Sequence, residues 1–267
     1  MTPDPPAGSG GIHGPLRRLG ELSTLDVAEL LSSEPVDVII ALGALEQHGP
    51  HLPLATDHII ADAIADGVAR RVGQCVVVPT LPIGASSHHL TFAGTASLTE
   101  ETMTTTQVEI VETLLGHGFR SAYVVTGHAG NTGAMASAVA QLGELVVSFA
   151  DWPAQRAAIH RVAEHELGLD PDVVGTHAGH FETSIMLLLR PDLVRLDRAA
   201  PGHIGPATEA SALLRREGMA ALSPSGVIGD PTGATAAAGE RYLDALITHV
   251  TDGIEEHRMA AAGASRP

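Results

Sequence analysis

Through the first half of the chain, short unbroken apolar runs alternate with stretches whose apolar residues recur every three or four positions. Val36–Leu42 (VDVIIAL), Cys75–Pro79, Ala122–Thr126 and Leu145–Phe149 are the runs. They are rich in Val and short, so they read as strands buried on both faces. Between them, Ser23–Ser33, Asp57–Val72, Thr99–His117 and Thr132–Leu142 carry helical spacing. Ser23 or Thr24 caps the first of these helices, and Thr99 with Glu100 and Glu101 opens the third. This alternation predicts an α/β fold with a mainly parallel sheet covered by helices on both faces. The second half is less regular. Pro153–Leu167 and Phe181–Leu189 read as helices, and the Gly- and Pro-rich stretch Pro224–Thr235 reads as a loop. No internal repeat is present, and one domain accounts for the pattern.

Composition narrows the function. Of 267 residues, 44% are hydrophobic and 17% charged, which supports a large core and excludes a disordered chain. A net charge of -16 argues against nucleic acid, which needs clustered Lys and Arg, and against an anionic membrane surface. The single Cys75 sits within an apolar run and reads as a small core residue, compatible with a reducing compartment. The opening residues have neither the basic start nor the apolar core of a signal peptide, and no apolar run approaches the roughly 18 residues of a membrane span. The expectation is a soluble, cytoplasmic protein with a flexible lead-in at 1–18, one hydrolase domain at 19–257 and a flexible tail at 258–267.

Histidine is over-used, at 15 residues, and its placement matters more than its number. In parallel sheets, ligands gather at the C-terminal strand ends. Three polar segments fall at element ends of this kind. After the first strand comes GALEQHGPHLPLATDH, in which Glu46 and His48 stand two apart and project to one side of an extended segment. Gly49-Pro50 then turns the chain, and Asp57 opens the next helix, where the helix dipole favours its carboxylate. After the third strand, Thr126–Asn131 carries His128 beside glycines. Thr176–Ser184 gathers His177, His180 and Glu182 ahead of an apolar helix. Carboxylates and imidazoles meeting at one sheet edge suit Zn²⁺, Mn²⁺ or Fe²⁺, and a shared Asp57 would bridge two ions. Ser86-Ser87-His88-His89 is either a substrate-binding loop or a solvated turn, and no GxSxG elbow makes a nucleophile of its serines. His51 and His58 read as supporting contacts or helix caps, Asn131 as a residue fixing its turn. The Gly226–Pro231 loop borders either the site or a subunit interface.

Taken together, Glu46-Gln47-His48-Gly49-Pro50-His51-Leu52-Pro53-Leu54 with Asp57, Gly127-His128-Ala129-Gly130-Asn131, His177-Ala178-Gly179 with Glu182-Thr183-Ser184, and Gly226–Pro231 resemble the signature of the creatininase family. The resemblance runs from about Leu19 to the last helix, with the motifs in order. It implies a three-layer α/β/α sandwich, hydrolysis of a C–N bond by metal-activated water, a small amide or short peptide as substrate, and assembly into homo-oligomers, often hexamers. Carried over by residue, it implies Glu46, Asp57 and His128 on one ion and His48 with the bridging Asp57 on a second. His177 falls at the catalytic histidine that protonates the leaving nitrogen. One departure stands out: creatininases proper carry a glutamate where this chain has Gly130. Glu182 then either supplies the missing carboxylate or acts as the acid–base group, and a one-ion site is the competing arrangement. The glycine-bearing pattern is similar to a branch that trims the precursor peptide of the redox cofactor mycofactocin, but formamide hydrolases share it. The readings carried forward are an amidohydrolase, a precursor-peptide peptidase, and a non-catalytic metal-binding homologue.

Overall fold

The structure, a computed structural model, describes residues 16–264. Most of the expected lead-in, and the end of the expected tail, lie outside those residues. The elements run α1 (Thr24–Ser33), β1 (Asp37–Leu42), α2 (Thr56–Val72), β2 (Cys75–Val77), α3 (Glu100–Gly116), β3 (Ala122–Thr126), α4 (Thr132–Leu142) and β4 (Val146–Ser148). They continue as α5 (Trp152–Arg161), α6 (Pro171–Val174), α7 (His180–Leu189), α8 (Ala207–Glu217), α9 (Met219–Leu222) and α10 (Ala236–Ala264).

The strands form one parallel sheet in the order β2-β1-β3-β4, so each crossover needs a helix to return the chain. Every residue of β1 is buried, and alternate side chains serve opposite layers. Ile39 and Ala41 join Val77, Tyr123 and Val125 beneath α2, α7 and α10. Val38, Ile40 and Leu42 join Val76, Ala122 and Val124 beneath α1, α3 and α4. The result is the expected three-layer α/β/α arrangement. Ser23 caps α1 through a capping box with Asp26. Among the described residues, no helix is long and apolar enough to cross a membrane.

Three boundaries differ from the sequence reading. β2 ends at Val77 because Pro79 has no N–H with which to extend the ladder, although Val78 still donates to Ile39 O. Residues 16–18 are docked: Val77 N donates to Arg17 O, and the Arg18 guanidinium reaches Asp62 and Asp66. The last helix continues to Ala264, through residues placed in the flexible tail. Its end is held by Arg258, which donates from Nε and NH2 to Asp37 Oδ2 at 2.9 and 2.8 Å and to the carbonyls of Val72 and Gly73. Arg120 grips the same fully buried carboxylate from the other side, at 2.8 and 2.6 Å. Charge pairing at the N-terminal edge of the sheet therefore keeps helical a segment whose small residues suggest fraying.

Candidate metal centre

Beyond Leu42 and Thr126 the two central strands release their loops side by side. Asn131 ties them together: its Nδ2 donates to Gly43 O and to Thr126 Oγ1, and its Oδ1 accepts from Ala85 N at 3.0 Å. Three loops thus enter the site at fixed spacing. The glycines of the third-strand motif are there because nothing larger fits. A Cβ on Gly127 would stand 2.3 Å from Asp57 O, and one on Gly130 would stand 2.2 Å from His128 Nε2.

Glu46, His48, Asp57, His128, His177 and Glu182 come together here, all buried. Single donor atoms of His48, Asp57 and Glu182 lie within 4.8 Å of one another, as do those of Glu46, His88 and His128, and those of Glu46, His48 and His177. His48 Nδ1 lies 3.1 Å from Glu46 O, and a carbonyl only accepts, so the ring hydrogen belongs on Nδ1. In the neutral ring that leaves Nε2 free to bind a cation, 3.0 Å from Asp57 Oδ1 and 3.8 Å from Glu182 Oε2; otherwise Nε2 carries a second proton. His128 presents both nitrogens to carboxylates: Nδ1 to Asp57 Oδ2 at 3.1 Å and Nε2 to Glu46 Oε2 at 3.2 Å. A neutral ring donates through only one of them. Both oxygens of Glu46 and Oδ2 of Asp57 are buried without a hydrogen bond of proper geometry, even where an imidazole nitrogen is close. Either extra protons or a cation must relieve this crowding of lone pairs, and the donors are those that Zn²⁺, Mn²⁺ and Fe²⁺ prefer.

The titration behaviour follows from the same crowding. Burial raises Glu46 above the usual carboxylate range, against the opposing pull of His128. Burial raises Glu182 likewise, with His48 opposing. Asp57 goes the other way, because His48 and His128 together outweigh its burial. Burial would depress His48 and His128, but carboxylates on every side lift them to about 10 and about 9. His177 is instead held well below its ordinary value by burial and by His48, whose ring centroid is 4.3 Å away. Within the thiol inventory, Cys75 is buried and pushed up to about 12 by that burial, so it remains a core residue.

Glu182 lies in the first turn of α7, where its Oε2 accepts the Ala178 N–H. Ala178 makes this possible by adopting φ +50°, a left-handed conformation uncommon outside glycine. The segment is held from behind by Ile228, which donates to His177 O at 2.8 Å, so the Gly226–Pro231 loop borders the site. His51 is a supporting residue: it is buried and meets Thr183 Oγ1 at 3.0 Å. His180 turns away to Tyr242 and Gly233.

Sequence reasoning missed Gln47 and left His88 and His89 undecided. Gln47 Nε2 lies 2.9 Å from His89 Nδ1, 2.9 Å from His177 Nε2 and 3.1 Å from Gly226 O. His89 is buried with Nε2 3.3 Å from Glu46 Oε1, and Ser86 Oγ lies 3.4 Å from His128 Nε2. The two consecutive histidines after the second strand were the visible signal, but nothing in their spacing told a buried pair from a solvated one. The cluster opens into a cleft that Trp152, Leu214, Met219 and Ile228 also line, giving it an apolar wall.

Comparison with known proteins agrees with this geometry. A family profile named creatininase, described as creatinine amidohydrolase, matches residues 20–254. The mycofactocin precursor peptide peptidase of Mycobacterium ulcerans is 39% identical over 237 residues, 86% of this chain and 88% of that protein. The creatinine amidohydrolase of Pseudomonas putida is 30% identical over 256 residues, 89% of this chain and 96% of its own. A solved structure named "Creatininase Mn" superposes with a TM-score of 0.72 at 27% identity, covering 91% of this chain and 98% of the other. The motif series, the parallel sheet and the buried His–carboxylate cluster thus converge on one assignment: this chain belongs to the creatininase family of metal-dependent amidohydrolases.

Proposed function

We propose that the chain holds two divalent cations, manganese, zinc or iron, and hydrolyses an amide bond within a short peptide. His48, Asp57 and Glu182 would hold one ion and Glu46 and His128 the other, with the two oxygens of Asp57 turned toward His48 and His128. The observation that carries this reading is the set of buried carboxylate oxygens on Glu46 and Asp57 left without a well-formed hydrogen bond. Ions bound there supply Lewis acidity for an amide carbonyl and make water a nucleophile near neutral pH.

The rest of the chemistry falls to the protein. Gln47 O accepts from His177 Nε2 at 2.8 Å, so the ring hydrogen sits on Nε2 and Nδ1 is bare, 3.6 Å from Glu46 Oε1. With its ring held neutral, His177 cannot begin as a donor. It accepts a proton at Nδ1 from the attacking water and returns it to the leaving nitrogen, which then departs as an amine. Glu182 is fixed by Ala178 N–H, which suits a ligand better than a mobile acid.

Three features support a peptide substrate: the higher identity to a precursor-peptide peptidase than to a creatinine amidohydrolase, the missing carboxylate at Gly130, and the apolar wall of the cleft. Incubating the manganese- or zinc-loaded protein with mycofactocin precursor peptide, and separately with creatinine, tests this by mass spectrometry. The expected result is release of a peptide fragment with no ring opening, and loss of both metal and turnover in Asp57→Ala. Opening of creatinine without cleavage of the peptide would sink the substrate reading.

A further inference from the structure

We propose that His89 is a catalytic residue, whose neutral ring donates its Nε2 hydrogen to the substrate's amide oxygen and to the oxyanion that forms there. The inference rests on the amide-hydrolysis reading and deepens it, adding a donor from the loop after β2 to the base His177. The place of the hydrogen follows from Gln47. Gly49 N–H donates to Gln47 Oε1 at 2.9 Å, which turns the amide nitrogen toward the histidines. Two hydrogens there have three neighbours: His89 Nδ1 and His177 Nε2, each at 2.9 Å, and Gly226 O at 3.1 Å. His177 Nε2 already carries a hydrogen, donated to Gln47 O at 2.8 Å, and cannot accept another. His89 Nδ1 therefore accepts from Gln47, and the single hydrogen of the neutral ring sits on Nε2. A ring nitrogen that bears a hydrogen cannot also bind a cation, so His89 serves the centre as a donor and not as a ligand.

What that hydrogen serves is set by its surroundings. His89 is buried and lines the cleft into which the cluster opens. Its Nε2 lies 3.3 Å from Glu46 Oε1, but that oxygen has no well-formed hydrogen bond, so the N–H is not committed to it. His177 Nδ1, which bears no hydrogen, lies 3.6 Å from the same oxygen, and the two ring centroids are 4.6 Å apart. A donor and an acceptor thus stand side by side, and amide hydrolysis needs one of each. As the water oxygen bonds to the amide carbon, the carbonyl electron pair moves onto oxygen, where the His89 N–H meets it, and the water's proton goes to His177 Nδ1. On collapse that pair re-forms the carbonyl, the C–N bond breaks with its electrons on nitrogen, and His177 passes the proton there. His89 keeps its own hydrogen throughout, as a neutral imidazole that polarises a carbonyl does. The donor is fixed before substrate arrives: His89 N donates to Ser86 O at 2.9 Å, Phe92 N to His89 O at 3.0 Å, and Ser86 N to Ser97 Oγ at 2.8 Å.

Zinc is the metal for the test, because it is diamagnetic and leaves the imidazole ¹⁵N signals visible. In the zinc-loaded wild-type protein those spectra should place the His89 hydrogen on Nε2, a readout that needs neither a variant nor a substrate. His89→Phe should lower kcat ~100–1000-fold, the usual loss for an oxyanion donor, with KM little changed and zinc affinity preserved. His89→Gln, whose side-chain oxygen can accept from Gln47 while its nitrogen donates, should recover part of the lost kcat. A His89 Nε2 without hydrogen in the zinc-loaded protein would make it a ligand and overturn the proposal. So would an unchanged kcat in His89→Phe, or a ~10–100-fold loss of zinc affinity that accounts for the lost turnover, since the residue would then only support Glu46. Kinetics are run on whichever of precursor peptide and creatinine the wild-type protein hydrolyses, so an error in substrate class leaves the donor test intact. If it hydrolyses neither, the proposed function fails and His89 loses its role with it.

Discussion

Replacing Gln47 by Leu tests whether a side chain that touches no reacting atom sets the protonation pattern of the centre. Its orientation is determined by a donor that cannot reverse: Gly49 N–H donates to Oε1 at 2.9 Å, so the amide nitrogen must face the histidines. That nitrogen has two hydrogens and three close neighbours. His177 Nε2 already donates to Gln47 O, so the two hydrogens go to His89 Nδ1 and Gly226 O. His89 must then carry its own hydrogen on Nε2, pointed at Glu46 Oε1. Leucine removes three hydrogen bonds and strands a backbone N–H, a carbonyl and a ring nitrogen. At about 1 kcal/mol for each bond or stranded group, the loss is about 3 kcal/mol, or roughly 6–12 °C in Tm for a chain of this size. The functional loss should fall on His89 alone, because His177 is held by the backbone of residue 47, which the substitution leaves in place. In ¹⁵N spectra the His89 ring should shift toward a mixture of tautomers while His177 keeps its hydrogen on Nε2. Steady-state kinetics should show kcat reduced ~10–100-fold, as for other outer partners of metal ligands, with KM little changed. A variant that loses less than about 1 kcal/mol and leaves both imidazole spectra unaltered would refute the assignment.

Three further outcomes follow from the geometry. Gly130→Ala puts a Cβ where His128 Nε2 now lies, so His128 should be displaced and the ion on the Glu46 side lost, while His48, Asp57 and Glu182 keep theirs; metal content read by atomic emission should fall from two to one. Metal affinity should rise with pH, because protons on the raised Glu46 and Glu182 and on the raised His48 and His128 compete with the cation and leave as pH climbs toward about 9 and about 10. Chelator competition at several pH values should show about tenfold tightening per unit for each proton displaced, and a flat profile would contradict the electrostatic picture. Arg258→Met removes four hydrogen bonds but leaves Asp37 its pair with Arg120, so it should cost about 2–3 kcal/mol in urea unfolding and leave kcat at low temperature unchanged.

What the sequence made legible is what local pattern encodes. The unbroken apolar runs at Val36–Leu42 and Ala122–Thr126 demanded burial on both faces, and that burial made the sheet parallel and placed its active edge. Glu46, His48, Asp57 and His128 were visible because each follows a strand or opens a helix. The ambiguous role of Glu182 was not resolvable from spacing, since it turns on which atom its carboxylate meets, and that depends on the left-handed Ala178. Gln47 gave no signal of its own, because its partners lie 42, 130 and 179 residues away. The last helix was unmarked at its end because small residues there suggest fraying, whereas its anchor, Asp37, is 221 positions distant. Periodicity reports what a segment does with its neighbours in the chain and is silent on partners of that kind.

The sheet divides its labour between its two edges, and the division explains how so strained a centre persists. Glu46, Asp57 and Glu182 share one buried site with five imidazoles, an arrangement that destabilises the fold without cations. At the opposite edge, Asp37 is also fully buried, but two guanidiniums satisfy it and bind α10 and the turn before β3 to the start of β1. That edge holds its charges paired in every state of metal loading, so it can keep the strands in register while the other edge waits for ions. Asn131 carries the register forward, fastening the ends of β1 and β3 and the loop after β2 with three hydrogen bonds. Binding of cations then has little backbone left to organise, which is what preorganisation requires: the ligands lose few degrees of freedom on binding, and relief of the crowded carboxylates stabilises the fold as the ions enter.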